Sequence, residues 1–170
     1  MKQVFIGIDH GGTNTTALVL DLNKGILSSA SVLMPKNTSK DGWVDHNPDD
    51  FLNTSIKACD QALKAVNLKW DDVNSIALAN QGETSMVWDE QSDIISTAIS
   101  WEDRRTEKIC NDLKKNNVDK LIRNKTGILL DPYFSASKFK WLLENDDNLL
   151  KIIKSKNLRL GGTDTYVINR

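Results

Sequence analysis

The chain has 170 residues, of which 39% are apolar and 26% charged, and its formal net charge is −1. That length supports one domain with a real core, and the balanced charge excludes the basic footprint that nucleic acid or an anionic membrane would demand. No signal peptide or transmembrane run is visible, so a cytoplasmic protein is expected.

Val4 to Ile8 is an apolar run that meets a single carboxylate, Asp9, and then a turn with Gly11 and Gly12. A second apolar run follows from Ala17 to Leu20. This reads as strand, tight turn, strand. The two glycines free the backbone for positive φ and for close approach to a ligand, and successive N–H groups in such a turn form a nest for phosphate oxygens. Thr13, Asn14, Thr15 and Thr16 can add side-chain donors. Asp9, where a strand ends, is placed to hold a hydrated Mg²⁺. An ordinary hairpin with a Gly- and Thr-rich turn fits the same residues. No Gly-Lys-Ser/Thr follows, which excludes a Walker A loop. A strand rather than a helix comes next, which argues against a Rossmann fingerprint.

Ile26 to Met34 gives a third strand, so residues 3–34 form an antiparallel meander. Pro35 to His46 is a polar loop. Asn47-Pro48-Asp49-Asp50 starts a helix, with Asn as N-cap and Pro at the first position. Leu52, Ile56, Cys59, Leu63 and Val66 then predict its inner face. Ser75 to Ala79 is a short strand ending in Asn80-Gln81-Gly82-Glu83-Thr84. Met86 to Trp88 is a further strand, Asp89 to Asp93 a turn, and Ile94 to Ile99 another extended stretch.

A helix begins near Asp103 with Thr106, Ile109, Cys110 and Leu113 inward. Val118 to Lys125 is a second helix, stopped by Gly127. Asp131-Pro132-Tyr133-Phe134 is a rigid bend. Ser135 is expected to cap the next helix, whose inner face is Phe139, Leu142 and Leu143, and a final helix starts at Asp164. Strands followed by helix, strand and helices predict an α/β domain with a mixed sheet. Cys59 and Cys110 read as buried thiols. The Lys114-Lys115 pair and the Lys151 to Lys156 run read as solvated helix faces.

Several segments together resemble the FGGY carbohydrate kinases, most closely their glycerol kinase branch. They are Gly7-Ile8-Asp9-His10-Gly11-Gly12-Thr13-Asn14-Thr15-Thr16, Gly42-Trp43-Val44-Asp45-His46-Asn47-Pro48 and Asn80-Gln81-Gly82-Glu83-Thr84. Trp101-Glu102-Asp103-Arg104-Arg105-Thr106, Asp131-Pro132-Tyr133-Phe134-Ser135-Ala136-Ser137-Lys138 and Gly162-Thr163-Asp164-Thr165-Tyr166 complete the series. Their order and spacing agree from residue 3 to 170. The Asp-x-Gly-Gly-Thr-Asn pattern alone also fits the ROK-type sugar kinases and regulators, but the Gly42 to Pro48 and Asp131 to Lys138 segments argue against them.

The resemblance implies a ribonuclease H-like core of the actin/hexokinase/Hsp70 type. Residues 1–170 would be the front part of the N-terminal domain, without its remainder or the second domain. It implies transfer of the ATP γ-phosphoryl group to a hydroxyl of a polyol or sugar, with ATP and Mg²⁺ as cofactors. Gly11, Gly12, Thr13 and Asn14 would hold the phosphates, and Asp9 would organise Mg²⁺ through water. Glu83 would accept hydrogen bonds from substrate hydroxyls, with Trp101 and Tyr133 as apolar walls.

Trp43 and His46 are expected to be structural, and Arg104 and Arg105 to pair with acids or carbonyls. The family's catalytic base is an aspartate expected beyond Arg170, so this piece alone is expected to be inactive. A non-catalytic polyol- or partner-binding module is the alternative. Two departures from glycerol kinases stand out: Gly82 replaces an arginine before the glutamate, and Thr16 replaces another at the end of the turn. The first removes a fork of donors and leaves room for a longer polyol or a sugar. A half-domain would also leave apolar surface uncovered, so self-association into a homo-oligomer is expected.

Overall fold

In the computed structural model, described over residues 4–39, 41–89, 96–152 and 158–170, the chain opens with strands β1 (Val4–His10), β2 (Asn14–Asp21) and β3 (Gly25–Leu33). Strands β4 (Asn37–Thr38) and β5 (Val44–His46) precede helix α1 (Pro48–Ala65). A 3-10 turn at Trp70–Asp72 leads to β6 (Val73–Asn80), β7 (Met86–Asp89) and β8 (Ala98–Ile99). Helices α2 (Glu107–Lys115), α3 (Val118–Thr126), α4 (Ser135–Asn145) and α5 (Asp147–Ile152) follow, then β9 (Leu158–Gly161) and α6 (Thr163–Asn169). The expected turn at 89–93 and the Lys-rich run at 151–156 lie largely outside the described residues.

These elements divide into two units. The first comprises Met1–Pro35, Asn47–Gln81 and Thr163–Arg170, and the second Lys36–His46 and Gly82–Gly162. In the first, a four-stranded sheet runs in the order β3-β2-β1-β6. The meander β1-β2-β3 is antiparallel, whereas β6 lies parallel to β1. The mixed sheet expected from the sequence is therefore present. Alternation decides which face is covered: Val4, Ile6, Ile8 and His10 of β1 and Thr15, Ala17 and Val19 of β2 point the same way and are buried. Against them pack Ala58, Cys59, Ala62 and Leu63 of α1. Each large aliphatic side chain covered there contributes about 1.5–3 kcal/mol.

Helix α1 starts as the sequence predicts. The Asn47 side chain accepts from the Asp49 N–H, Pro48 occupies the first turn, and Asp49 and Asp50 complement the helix dipole. It stops where Asn67 turns left-handed (φ 53°) and the Leu68 N–H reaches back to Leu63 O. Of the expected inner face, Cys59 and Leu63 are buried and Val66 packs against the core, whereas Leu52 and Ile56 lie outside it. Phe51, Thr54, Ser55, Ala58 and Ala62 are buried, while Ile56 is 46% exposed. The small residues let the helix come close to the sheet, a preference that a pattern of large aliphatic side chains does not reveal. Leu52 and Ile56 instead line an apolar cavity with Ile76, Leu78 and Val167. Helix α6 packs beside it, with the Tyr166 hydroxyl on Asp49 at 2.7 Å and the Asn80 amide donating to Thr163 at 3.0 Å.

The second unit holds a three-stranded sheet, β4-β5-β8, and the pair β7-β9. Its core is Val87, Ile99, Leu142 and Leu149, with Phe139, Trp141 and Leu158 at the margin. Helix α2 begins at Glu107 rather than near Asp103, because Asp103 is used elsewhere. It is 1% exposed, accepts from the Val44 N–H at 2.6 Å and grips Arg105 at 2.9 and 2.8 Å. Arg105 also donates to Asp45 at 2.6 Å, and its guanidinium lies 4.4 Å from the Trp43 ring and 4.9 Å from that of Trp141. Burial works against this charge, and the bonds to Asp103 and Asp45 outweigh it, so the pKa of Arg105 is raised. Arg104 pairs with Glu107. The structural roles expected of Trp43 and both arginines hold. Helix α3 ends at Gly127 (φ 76°), and both cysteines are buried free thiols.

Candidate active site

The expected site residues fall into two groups, one in each unit. In the first, Asp9 sits near the end of β1, in register with Thr16 on one side and Ala79 on the other. Its neighbours Ile8 and His10 point to the buried face, so its carboxylate points to the open one and is exposed. Among the described residues it makes no hydrogen bond or ion pair, and no group of three metal-ligating side chains surrounds it. A lone, solvated carboxylate fits a Mg²⁺ ion that keeps most of its waters.

The turn that follows is shaped by Gly11. Its N–H donates to Asn14 O at 2.9 Å, and a Cβ on it would lie 3.0 Å from that same oxygen. Close approach, not a left-handed φ, is what requires glycine there, since neither Gly11 nor Gly12 has positive φ. Among the described residues the N–H groups of Gly12 and Thr13 have no hydrogen-bond partner. Thr13 O accepts from the Met34 N–H at 2.8 Å, which ties the turn to the end of β3. Thr13 and Asn14 are exposed, but Thr15 and Thr16 spend their hydroxyls on Thr54 and Ser31, each at 2.8 Å. The donor set is therefore smaller than the four side chains expected. His10 is fully buried against Phe51, with Nε2 on the Ser55 hydroxyl at 2.5 Å, and burial lowers its pKa. It links β1 to α1.

In the second unit, Glu83, Trp101 and Tyr133 come together from three separate stretches. The Glu83 Oε2 accepts from the Ser135 N–H at 2.8 Å and from its hydroxyl at 2.6 Å. This carboxylate thus occupies the N-terminus of α4, where free N–H groups and the helix dipole favour a negative charge. Phe134, not Ser135, is the N-cap, and it gives no side-chain hydrogen bond. The serine expected to cap its own helix instead holds the glutamate. Among the described residues Glu83 Oε1 accepts nothing.

The Trp101 and Tyr133 rings meet edge to face at 6.0 Å, and the Trp101 N–H donates to Thr84 Oγ1 at 3.3 Å. Tyr133 is set by the Asp131 side chain, which accepts from its N–H at 2.9 Å. These rings are 40% and 44% exposed, whereas the core Trp88 is fully buried. Two open aromatic faces beside a half-buried carboxylate can line a ligand with C–H faces and hydroxyl edges. Gly82 is open as well, since a Cβ there meets nothing within 4 Å. Ser135, and Lys138, whose Nζ donates to the Tyr133 carbonyl, were not expected as parts of this cluster. Their three-residue spacing on one helix face was the available signal.

The family described as FGGY carbohydrate kinases, N-terminal domain, matches residues 4–170. The chain is 34% identical over 169 residues to a glycerol kinase of Petrotoga mobilis and 37% identical over 171 residues to one of Rhizobium meliloti. These alignments cover 99% and 100% of this chain but 34% of each relative. The chain thus spans about a third of the length of the curated relatives it matches. A crystal structure of Plasmodium falciparum glycerol kinase with ADP superposes with a TM-score of 0.85 at 25% identity, over 98% of this chain and 34% of that one. A ligand-bound xylulose kinase from Lactobacillus acidophilus, at 22% identity and TM-score 0.78 over 98% of this chain and 32% of its own, shares the fold. The α/β architecture with a mixed sheet is that of the actin/hexokinase-type sugar kinases, and it corresponds to their N-terminal domain.

Proposed function

The chain belongs to the FGGY family of carbohydrate kinases, and from that membership we propose that it supplies the phosphate turn and substrate cluster of an enzyme that phosphorylates a polyol or sugar with ATP. The observation that carries the reading is the convergence of Glu83, Trp101 and Tyr133 around a carboxylate oxygen left open. Such an oxygen accepts from a substrate hydroxyl and orients it, while the two rings cover the carbon chain and exclude water on that side. Phosphoryl transfer depends on this kind of positioning more than on covalent chemistry.

In the other unit, the N–H groups of Gly12 and Thr13 and the exposed side chains of Thr13 and Asn14 bind phosphate oxygens of ATP. Asp9 would hold Mg²⁺ through water, and the bound ion would neutralise phosphate charge. The acceptor of the hydroxyl proton is assigned to no residue placed here. Gly82 leaves space beside Glu83 where an arginine fork would stand, which favours a longer polyol or a sugar over glycerol.

The test is ATP-dependent phosphorylation of glycerol, erythritol, xylitol, xylulose and gluconate, with direct binding of each measured alongside. The chain should bind at least one of them, and Glu83→Gln should weaken that binding at least tenfold. Transfer is expected only from a longer chain that contains this sequence. Polyol binding without transfer in any such chain would favour a non-catalytic module. No binding of any compound would refute the substrate cluster.

A further inference from the structure

The side chain of Lys138 is wholly buried, yet it carries an ammonium. Its Nζ donates to the Tyr133 carbonyl. Four titratable groups act on it electrostatically: Glu83 from the stretch before β7, Asp103 from the turn before α2, Asp131 from the bend, and Cys110 from α2. Asp103 already has Arg105 as its ion-pair partner. Glu83 is the foremost of the charges that favour the ammonium. Three residues earlier, Ser135 donates twice to that glutamate. The first turn of α4 therefore presents on one side a hydroxyl and an N–H that hold Glu83, and a cation that holds Tyr133 and answers the glutamate's charge. A buried lysine with such surroundings is costly unless compensated, and here the foremost compensating charge, Glu83, and the carbonyl that accepts from it, Tyr133 O, belong to the substrate cluster.

We propose that Lys138 is a positioning residue of this cluster: its buried ammonium fixes Tyr133 through the main chain and balances Glu83, so that its charge state governs how the pair is presented to a hydroxylated ligand. The inference rests on the substrate cluster described above. Burial draws the ammonium down from the ordinary 10.5 to about 8, against the pull of Glu83, Asp103 and Asp131. The charge is therefore lost within an accessible pH range. Once neutral, the amine can still donate to the Tyr133 carbonyl, but Glu83 is left without its counter-charge. If the competent form is the charged one, apparent affinity scales with its fraction. A group with a midpoint near 8 then gives about a tenfold loss of affinity between pH 7 and pH 9.

The experiment is an NMR titration of the 170-residue chain from pH 6.5 to 9.5, reading the Lys138 Cε signal and the amides of Glu83, Tyr133 and Ser135. Xylitol and glycerol affinities are measured at each pH. The amides of the cluster should move with the lysine's own midpoint, and polyol affinity should fall with them. Lys138→Arg, which stays charged throughout, should keep affinity flat over the same range. Cluster amides that stay still while Lys138 titrates would overturn the proposal, and so would an identical affinity profile in the arginine variant. If neither polyol binds at any pH, the substrate reading is in difficulty. The amide titration of the unsubstituted chain then decides the role of Lys138 by itself, and it does so even if the arginine variant fails to fold.

Discussion

Replacing Arg105 with methionine should destabilise the second unit by about 4 kcal/mol, because removing one partner of a buried ion pair leaves the other charge unpaired. The guanidinium side chain is 2% exposed, and that of its partner Asp103 is fully buried. Three side-chain hydrogen bonds disappear, at 2.9, 2.8 and 2.6 Å, together with the stack between Trp43 and Trp141. A desolvated cation over an indole face adds about 1–2 kcal/mol. Part of the loss is softened, since the N–H groups of Val44 and Arg105 remain on Asp103. Arg105→Lys keeps a charge but not the fork, and hydrogen bonds to charged groups at about 1.5–3 kcal/mol each place its cost near 2 kcal/mol. Asp45→Asn should cost less, about 1 kcal/mol, because that carboxylate is 22% exposed. The assay is urea unfolding followed by circular dichroism, since tryptophan emission would report the lost stack as well as unfolding. An Arg105→Met variant within 1 kcal/mol of the parent, at unchanged denaturant slope, would refute the reasoning.

Gly11→Ala should distort the phosphate turn, since its Cβ would sit 3.0 Å from the Asn14 carbonyl. A loss of about 1 kcal/mol in stability and weaker nucleotide binding are expected, and calorimetry with ATP checks the second. Ser135→Ala removes the hydroxyl that donates to Glu83 at 2.6 Å. It should cost about 1.5 kcal/mol and weaken polyol binding with no change in nucleotide binding. Stability should also depend on alkaline pH. Lys138 titrates at about 8 when folded and 10.5 when unfolded, so the unfolded chain holds more protons in that interval and this group's contribution rises with pH. Cys59 opposes it from pH 9 upward, because burial raises its thiol from 9.0 to about 11 and the folded form keeps a proton that the unfolded chain loses. Unfolding midpoints should climb from pH 8 to pH 9 and then level or fall, and Lys138→Met should abolish the climb.

The elements that could be read from sequence are those whose cause is local. Asn47 and Pro48 start α1 by chemistry contained within four residues, Gly127 stops α3 by its own conformation, and the alternation of Val4, Ile6 and Ile8 declares a strand with one covered face. Glu83, Trp101 and Tyr133 were nominated through resemblance, and the structure groups them, although their stretches are far apart in the chain. What stayed hidden depends on distant partners. Asp103 resembles a helix start until Arg105 and Val44 claim it, and Ser135 resembles a cap until Glu83 does. The expected face of α1 holds at Cys59, Leu63 and Val66, but Ser55 and Ala58 belong to it as well, because they matter through how closely the sheet approaches, which side-chain size alone conceals. Strands β4, β5 and β9 lie where a loop was expected or no strand was seen, because short extended pieces acquire their identity from the strand opposite.

The first unit is built from three stretches of chain, with Gly82–Gly162 of the second unit interposed before the last of them. A ribosome adding about 5–20 residues per second therefore spends roughly 4–16 s on that interposed segment. During this delay β1, β2, β3, α1 and β6 have already been made, but α6 has not. Asp49 then waits for the Tyr166 hydroxyl, and the Asn80 amide for Thr163. The apolar groove of Leu52, Ile56 and Ile76 is at its most open in the same window. Completion of the first unit therefore waits at least as long as it takes to make the interposed segment, and in that interval its groove has most need of protection.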